Sequence, residues 1–238
     1  MLHTEGLVLR TVKYGETSLI AEILTLEKGI QSFIIGGVRT PKGGRKKSIS
    51  QLMSFVDLVS YFRTSNQLNR VKEVSFNVVY RNLPFDLIRR SVGLFILEII
   101  RSTIIESEYE PEIYHFIKKH YLLLDEIPIV PSIYPIKFML EFTRFLGFYP
   151  GAYPDRGVYF DLQNGVFTKE MPGHVLYALP DLAASLEALR VMDLSATSPS
   201  PPKAVREELF NLLLDYYALH MEHFKEPVSR AILKEILT

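Results

Sequence analysis

The chain has 238 residues, of which 47% are hydrophobic, so it is long enough to form one large domain or two modest ones around a sizeable core. Charged residues make up 23% with both signs mixed, which excludes a disordered chain. Cysteine is absent, which excludes disulfides, thiol chemistry and thiolate zinc sites.

The N-terminal residues 1–5 lack the basic start and apolar core of a signal peptide. The longest apolar stretch, at 92–100, is interrupted by Glu98 and is too short to span a bilayer. These features predict a protein of the reducing cytoplasm with no membrane partner.

The formal net charge of zero conceals an uneven distribution. Residues 1–80 hold 11 Lys and Arg against 6 Asp and Glu, whereas the remainder holds 16 against 21. A basic first part joined to an acidic second part indicates a polyanion-binding module attached to a different kind of body. Chance scatter of charges is the alternative interpretation.

The first eighty residues read as β-strands, because short apolar runs rich in β-branched residues alternate with turns. The predicted strands are 6–12, 19–25, 30–35, 52–62 and 68–76. Five strands with no intervening helix indicate a small closed barrel. The OB-fold is the five-stranded barrel that commonly binds oligonucleotides, although an SH3-like barrel fits the strand count nearly as well.

From residue 84 the apolar period changes from two to about 3.6 residues, which predicts helices. The predicted helices are 84–105, 111–124, 132–146, 180–192, 201–224 and a last one from about 227. We expect Ser200 to be the N-cap of the fifth helix. One broad face of the first helix is expected to carry Leu87, Ile88, Ser91, Leu94, Phe95 and Ile99.

The periodicity fails between residues 147 and 172, where glycine and proline are frequent. Asn164-Gly165, a dipeptide favoured in tight hairpin turns, predicts a hairpin of strands 158–161 and 166–168. The expected fold class is therefore α+β: an OB-fold-like barrel at 1–80, followed by a helical domain at 81–238 with a hairpin insertion at about 148–172.

The segment 39–47, RTPKGGRKK, is the sharpest local feature. It holds five cations and no acid, and its proline and glycines oppose helix and strand. Such a segment can neutralise phosphates without reading sequence. A merely solvated loop is the alternative. The candidate nucleic-acid-binding residues are Arg39, Lys42, Arg45, Lys46 and Lys47, extended by Arg10, Lys13, Arg63, Arg70 and Lys72, with Tyr14, Tyr61 and Phe62 as candidate stacking platforms.

Other clusters give weak signals. His220 and His223 lie one helical turn apart, but no third ligand is evident, so a solvent-facing pair is favoured over a metal site. Glu106, Glu108, Glu110 and Glu112 form an acidic cluster around Pro111 that is more typical of a solvated junction than of a two-metal centre. Phosphate-binding, nucleophile-elbow and zinc-protease motifs are absent from the sequence. The sequence therefore predicts no catalytic residue, no metal site and no cofactor.

With these residues in view, the chain resembles the RecO family of DNA repair proteins. The resemblance is carried by TEGLVLR at 4–10, YGET at 14–17, KG at 28–29, GGVR at 36–39, FLGFYP at 145–150 and EPVSR at 226–230, in the family's order. Residues 159–161 and 165–167 fall where the family places a hairpin. The match touches nearly the whole chain.

One departure concerns zinc. Many relatives carry four zinc-holding cysteines in the region that corresponds to residues 151–172, and this chain has none. We therefore carry over no metal and expect the hairpin to be held by packing of Tyr153, Tyr159, Phe160 and Phe167.

The resemblance implies a bacterial, nucleoid-associated, non-enzymatic protein whose OB-fold binds single- and double-stranded DNA. It also implies annealing of complementary strands and loading of the recombinase RecA onto DNA coated by single-stranded DNA-binding protein (SSB). RecR, the SSB C-terminal tail and, in some bacteria, RecF are the implied partners. The SSB tail is acidic and ends in apolar residues, so its site should pair an apolar pocket with a cation.

Three other readings stay open from the residues alone. The same basic segment in an OB-fold could grip RNA. The chain could act mainly as an adaptor whose helical part docks partners. A metal-dependent nuclease is the enzyme alternative, although the carboxylates and histidines form no convincing constellation.

Overall fold

A computed structural model of the chain describes residues 1–38, 49, 51–61, 68–104, 109–154, 157–194 and 200–236, with the side chain of residue 236 excluded. The described residues divide into two compact units. The first consists of Met1–Phe85 and Ile104–Glu126, and the second of Asp86–Thr103 and the chain from Ile127 onward. The expected domain boundary at residue 80 stays a prediction.

The first unit contains a closed barrel of five strands, which confirms the predicted OB-fold-like architecture. The strands are β1 (Leu2–Tyr14), β2 (Ser18–Thr25), β3 (Gly29–Ile35), β4 (Phe55–Tyr61) and β5 (Asn69–Phe76). They pair in the order β1-β2-β3-β5-β4, and only the β3–β5 pair is parallel. β1 closes the barrel because its first half pairs with β4 and its second half with β2.

Alternation along the strands fills the barrel interior, since every second side chain points inward. In β3, Phe33 and Ile35 are buried while Ser32 is exposed. The interior is mostly aliphatic. Its buried cluster consists of Val8, Leu19, Ala21, Ile23, Phe33, Ile35, Val38, Ile49, Val56, Leu58, Val71 and Val74.

The predicted start of the fourth strand at residue 52 is wrong, because β4 begins at Phe55. Met53 has a φ of 66°, a left-handed conformation that no regular strand accommodates. The Met53 N–H donates to the Val8 carbonyl at 3.0 Å, and the Val8 N–H donates to the Ser54 carbonyl at 2.9 Å. This turn joins β1 where a bulge between Val8 and Arg10 interrupts the pairing with β2.

The helices lie close to their predicted positions. They are α1 (Leu87–Thr103), α2 (Pro111–Glu126), α3 (Tyr134–Phe142), α4 (Pro180–Val191), α5 (Lys203–His220) and α6 (Arg230–Ile236). Among the described residues, no helix combines the length and apolar character needed to cross a membrane.

α2 packs on the barrel of the first unit. The Phe55 ring lies edge-on to Tyr114 and Tyr121, with 5.8 Å between ring centroids in both pairs. The Lys118 ammonium lies 2.6 Å from a carboxylate oxygen of Glu5. The carboxylate of Asp125 accepts backbone N–H bonds from residues 81, 82 and 83 at 2.6–2.9 Å. α2 therefore anchors the chain segment that leaves β5.

In the second unit, a small sheet occupies the predicted hairpin insertion. β6 (Tyr159–Asp161) and β7 (Val166–Thr168) pair around Asn164-Gly165 as expected, and Gly165 has the positive φ of 66° that the turn requires. A third strand, β8 (Tyr177–Ala178), was not predicted and pairs with the other edge of β6. Its two residues are too few to show any periodicity.

Helix starts and faces also differ from the sequence prediction. α1 begins at Leu87 because the Asp86 carboxylate accepts the Arg89 N–H at 2.9 Å, an N-cap that sequence analysis missed. Of the face predicted for α1, Ser91, Phe95 and Ile99 are buried, whereas Leu87 and Ile88 are exposed. The predicted N-cap Ser200 of α5 is wrong, since Pro202 occupies that position and no side chain caps the helix there.

Candidate nucleic-acid interface

A row of outward-facing side chains crosses all five strands of the barrel. Val12 pairs with Ile20, Ile20 with Ile34, Ile34 with Arg70, and Arg70 with Tyr61. We call this row, Val12, Ile20, Ile34, Arg70 and Tyr61, the barrel stripe. Its last member follows Ser60, which pairs with Leu2 at the start of β1. Val12 lies near the C-terminal end of β1, whereas Leu2 lies at its N-terminal end. The row therefore shifts along β1 as it passes around the barrel, because the strands are strongly tilted relative to the barrel axis.

Several described segments lie around the end of β3. The β1–β2 turn, 15–17, lies beside it because Leu19 pairs with Ile35. Residues 36–38 continue directly from β3 into the basic segment 39–47. The β4–β5 connection precedes Asn69, which pairs with Phe33. Strands 2 and 3 with the loops beside them form the usual ligand face of an OB-fold.

Four of the predicted cations lie within the described residues. Arg10 and Lys13 are exposed near the end of β1, and Arg70 and Lys72 are exposed near the start of β5. Arg70 is a member of the barrel stripe, and Arg10 lies two residue pairs from its member Val12, opposite Glu22. The other candidates, Arg39, Lys42, Arg45, Lys46, Lys47 and Arg63, and the aromatic Phe62, lie outside the described residues.

The described cations differ in their electrostatic surroundings. An Arg10 nitrogen lies 3.4 Å from Glu22, and the Lys72 ammonium lies 3.3 Å from Glu73. These acids offset part of the charge that each cation presents to a phosphate. Within the parts of the chain that the structure describes, Lys13 and Arg70 form no ion pair with a carboxylate. Of the four described candidates, they are the two whose charge is not offset by an ion pair.

A separate groove, lined by residues of β1, β4 and β5 outside the barrel stripe, is mostly acidic. It has a volume of about 630 Å³ and is lined by four acids, Glu5, Glu27, Asp57 and Glu73, together with His3 and Lys72. Glu5 and Asp57 lie directly opposite each other on paired strands. An acidic surface repels phosphate.

Sequence analysis missed the apolar part of the barrel stripe. Val12, Ile20 and Ile34 read as ordinary strand residues, and only the pairing of three strands brings them together on the outside. Val12 is 45% exposed, while Tyr14 and Tyr61 are 51% and 52% exposed. A usable signal was present in β2, where Ile20 alternates with the buried Leu19 and Ala21 and must therefore face outward.

The second unit has a pocket with an apolar floor and a basic rim. Pro135 and Ile136 from α3, Phe210 from α5 and Leu233 from α6 form the floor. The charged lining residues are Lys203, Arg206, Glu207 and Lys234, three cations against one acid. This combination suits an acidic ligand that carries an apolar group.

Aromatic contacts hold the hairpin insertion together, and they involve the tyrosines and phenylalanines that were expected to pack there. Phe167 lies 5.0 Å from Tyr153 and 4.9 Å from Phe160, and Tyr159 contacts Tyr177 of β8 at 5.6 Å, all between ring centroids. The described residues contain no group of three side chains that could hold a metal ion.

Two side chains of α5 attach the insertion to the helices. Burial raises the pKa of Tyr216 to about 12, so its hydroxyl stays protonated and donates to the Phe148 carbonyl at 2.7 Å. The His220 ring stacks on Phe148 at 5.0 Å, and its Nε2 lies 2.8 Å from the Leu162 carbonyl. The predicted solvent-facing histidine pair is therefore wrong, because His220 is packed against the hairpin turn.

Asp161 organises the β6–β7 turn. Its carboxylate accepts N–H bonds from the backbones of Gln163 and Asn164 and from the Asn164 side chain. Burial alone would raise the pKa of this carboxyl, but these hydrogen bonds and the nearby His174 outweigh burial and hold the pKa below its usual value. The turn is thus stabilised by a charged carboxylate.

Comparison with known proteins agrees with this arrangement over the whole chain. The family model "Recombination protein O N terminal" matches residues 1–78, and "Recombination protein O C terminal" matches residues 84–230. A DNA repair protein RecO from Phocaeicola vulgatus is 29% identical over 99% of this chain and 98% of the relative. Another, from Flavobacterium psychrophilum, is 26% identical over 100% of this chain and 99% of the relative. With its five-stranded barrel and helical second unit, the chain belongs to the RecO family of DNA repair proteins.

Proposed function

We propose that this RecO-family chain is a recombination mediator that binds single- and double-stranded DNA on the β1–β2–β3 side of its barrel. It anneals complementary strands and, with RecR and in some bacteria RecF, helps to load RecA onto SSB-coated DNA on the bacterial nucleoid. One observation carries the DNA-binding part. Exposed Lys13 and Arg70 both lie near the end of β3, because Lys13 pairs with Leu19 beside Ile35 and Arg70 pairs with Ile34.

Annealing on such a surface needs no bond chemistry. Lysine and arginine lower the repulsion between two phosphate backbones and release condensed counterions. Holding two strands on one surface raises their local concentration, and base pairing then supplies the driving force. Charge neutralisation and a raised local concentration are enough for annealing, which favours a non-enzymatic role for the proposed DNA-binding residues.

The first experiment measures single-stranded DNA affinity across a salt series. In one variant Arg39, Lys42, Arg45, Lys46 and Lys47 are changed together to alanine. If all five contact phosphates, the slope of log affinity against log salt flattens by about 3.5, from roughly 0.7 for each neutralised phosphate. In a second variant Lys13→Ala and Arg70→Ala are combined, and a flattening of about 1.4 is expected on the same basis.

Lys169→Ala combined with Lys225→Ala is the matched control, since both lysines are exposed in the second unit. We expect its salt slope and its annealing rate to equal those of the wild type. An unchanged slope in both barrel variants would sink the proposed surface. Tighter binding to matched RNA than to DNA would instead favour the RNA-binding alternative.

The basic-rimmed pocket of the second unit supports a site for the SSB C-terminal tail. Ile136, Phe210 and Leu233 offer an apolar floor for the terminal side chains, and Lys203 and Lys234 offer charge for the acidic residues and the terminal carboxylate. The contact with RecR is proposed without an assigned surface.

A synthetic acidic peptide that ends in apolar residues tests this pocket. Changing Lys203→Glu and Lys234→Glu together should weaken peptide binding by about tenfold or more, because two attractive contacts become repulsive. Lys169→Glu with Lys225→Glu reverses the same number of charges away from the pocket and should leave affinity within about twofold. Equal losses in the two variants would show that only overall charge matters and would remove the pocket from the proposal.

A further inference from the structure

We propose that Glu98 is a positioning residue for the basic-rimmed pocket of the second unit: it holds α6 in place and thereby sets the affinity of the pocket for an acidic peptide. This inference rests on the peptide-binding function proposed for that pocket. Glu98 is not among the described residues that line the pocket, so its effect on the peptide passes through α6.

α6 supplies one wall of the pocket. Leu233 contributes to the apolar floor, and Lys234 contributes to the basic rim. Leu233 is 3% exposed, and it is the one buried side chain among the described side chains of α6. A helix of seven residues is too short to be stable alone. The position of this wall therefore depends on the few contacts that attach α6 to its neighbours.

Glu98 anchors the residue that precedes α6. The backbone N–H and the hydroxyl of Ser229 both donate to the same carboxylate oxygen of Glu98, at 3.0 and 2.9 Å. Ser229 is buried, and its carbonyl accepts the Leu233 N–H at 3.0 Å. The contact with Glu98 thus fixes the start of the helix, one turn before Leu233. It also accounts for an acid within the apolar stretch 92–100 of α1.

Arg230 attaches the same turn to a residue of the pocket floor. Its guanidinium lies over the Phe210 ring, 5.7 Å from the ring centroid, and donates to the side chains of Glu226 and Asn211. Phe210 lines the pocket. The motif EPVSR at 226–230, which carries part of the family resemblance, therefore contains the residues that join α6 to α1 and α5.

The pocket is complete only while α6 is docked. When a binding site is complete in a fraction of the molecules, the apparent affinity falls in proportion to that fraction. Hydrogen bonds to a charged acceptor are stronger than neutral ones, so loss of the Glu98 carboxylate should lower the docked fraction of α6 markedly. By the same linkage, a bound peptide should stabilise docked α6.

The test measures binding of the synthetic acidic peptide to three single variants. Glu98→Ala should weaken binding by about threefold or more, because α6 is docked in fewer molecules. Glu98→Gln keeps a side-chain oxygen that can accept both hydrogen bonds, so its affinity should lie between those of Glu98→Ala and wild type. Ser229→Ala keeps the backbone N–H bond and should lose less than Glu98→Ala. Alanine has the highest helix propensity, so α1 itself is not weakened.

The direction of the change separates positioning from charge. Glu98→Ala removes a negative charge, which by electrostatics alone should raise the affinity for an acidic peptide. Glu187→Ala is the matched control, because it removes one carboxylate of α4 that pairs with Arg190 at 2.6 Å and is not among the described lining residues. It should leave peptide affinity within about twofold of wild type or slightly raise it.

A double variant shows whether Glu98 and Ser229 act through one contact. Once Glu98 is alanine, the Ser229 hydroxyl has lost its acceptor, so Ser229→Ala should add less than about a twofold further loss. Losses that add independently would overturn the proposal, because Glu98 would then act on the peptide by another route.

Amide hydrogen exchange gives a readout that general destabilisation would not give. In Glu98→Ala, exchange should accelerate in α6 and stay unchanged in α1 and α3, because only the short helix opens more often. The docked fraction obtained from α6 exchange should account for the loss of peptide affinity. Saturating peptide should restore the protection of α6, and Glu187→Ala should leave α6 exchange as in wild type.

The outcomes separate the two proposals. If the wild type does not bind the peptide, the proposed pocket fails and the role of Glu98 fails with it. If the wild type binds and Lys203→Glu with Lys234→Glu abolishes binding, but Glu98→Ala binds as tightly as wild type, only the positioning role is overturned. Faster exchange throughout the second unit of Glu98→Ala would also overturn it, because the loss of affinity would then reflect general loss of structure.

Discussion

The barrel of the first unit and the small sheet of the second unit bury different kinds of side chain. Phe33 is the only aromatic residue in the described barrel cluster, which is otherwise aliphatic. The hairpin sheet relies on rings, with Phe160 placed against Phe167 and Tyr216. A closed barrel has backbone pairing around its whole circumference, whereas three short strands do not, so their stability depends on what the side chains contact.

This contrast shows how side-chain contacts can hold a small sheet of short strands. In the hairpin sheet, aromatic packing and the Asp161 hydrogen bonds supply local contacts, and Tyr216 and His220 attach the sheet to α5. The barrel strands pair with one another around the whole circumference, so their pairing needs no comparable attachment. Substitutions in the two regions should therefore differ in what they disrupt.

The largest effects are expected from Phe33→Ala and Phe160→Ala. Both rings are fully buried, and removal of a buried phenylalanine ring costs about 3–5 kcal/mol of stability. Phe33→Ala should also weaken DNA binding, whereas Phe160→Ala should leave the DNA salt slope intact. Denaturant unfolding and DNA titration check both, with Phe85→Ala expected to change stability by less than about 0.5 kcal/mol. Equal DNA-binding losses in both variants would contradict the comparison.

The next effect concerns two turn glycines with similar backbones. Gly165 and Gly15 have φ values of 66° and 60°, so alanine is strained by about 1–2 kcal/mol at either position. A Cβ at Gly165 would also lie 2.5 Å from the Tyr216 hydroxyl, while a Cβ at Gly15 meets open space. Gly165→Ala should therefore cost about 1–3 kcal/mol more than Gly15→Ala in thermal unfolding. Equal costs would mean that Tyr216 moves aside freely.

A smaller effect depends on pH. The folded-state pKa of Asp161 lies below its ordinary value of 3.8, so its carboxylate stabilises the protein fully above that value. This contribution is lost as the pH falls through the folded pKa. Asp161→Asn should cost about 1 kcal/mol at neutral pH, because hydrogen bonds to a charged acceptor become bonds to a neutral one. The stability curves of variant and wild type should converge in acid.

The exposed neighbour Glu170 provides the control for this titration. Glu170→Gln should follow the wild-type pH curve, since its side chain is exposed. A constant difference between Asp161→Asn and wild type at every pH would show that the charge of Asp161 contributes nothing.

The smallest expected effect is zero. Dialysis against a metal chelator should leave the unfolding temperature and the DNA affinity unchanged, because the described residues offer no cluster of three metal ligands and the chain has no cysteine. A downward shift in unfolding temperature, restored by added zinc, would contradict this.

The sequence predicts the fold to the extent that its determinants are local. The five strands, the main helices and the Asn164-Gly165 hairpin follow from apolar period and turn residues. β8 could not be predicted because Tyr177–Ala178 pairs only through contact with β6, which is distant in sequence. The left-handed Met53 is equally hidden, since nothing in its type indicates a positive φ.

The candidate site is less predictable than the fold. Lysine and arginine are evident in the sequence itself, so Lys13 and Arg70 could be predicted as candidate nucleic-acid-binding residues. The barrel stripe depends on the register of four strand pairings, and a one-residue shift would turn Val12 or Ile20 to the other face. The ion pair between Arg10 and Glu22 likewise depends on the pairing of β1 with β2, and the positions of the two residues in the sequence do not indicate it.

The packing of α2 on the barrel has a consequence for synthesis on the ribosome. Phe55 is covered by Tyr114 and Tyr121, and residues 81–83 are held by Asp125. At about 5–20 residues per second, roughly 2–9 seconds separate translation of residue 80 from that of residue 126. During this interval the nascent barrel has no cover over Phe55, so we expect chaperones that bind exposed aromatic segments to engage the chain before α2 emerges.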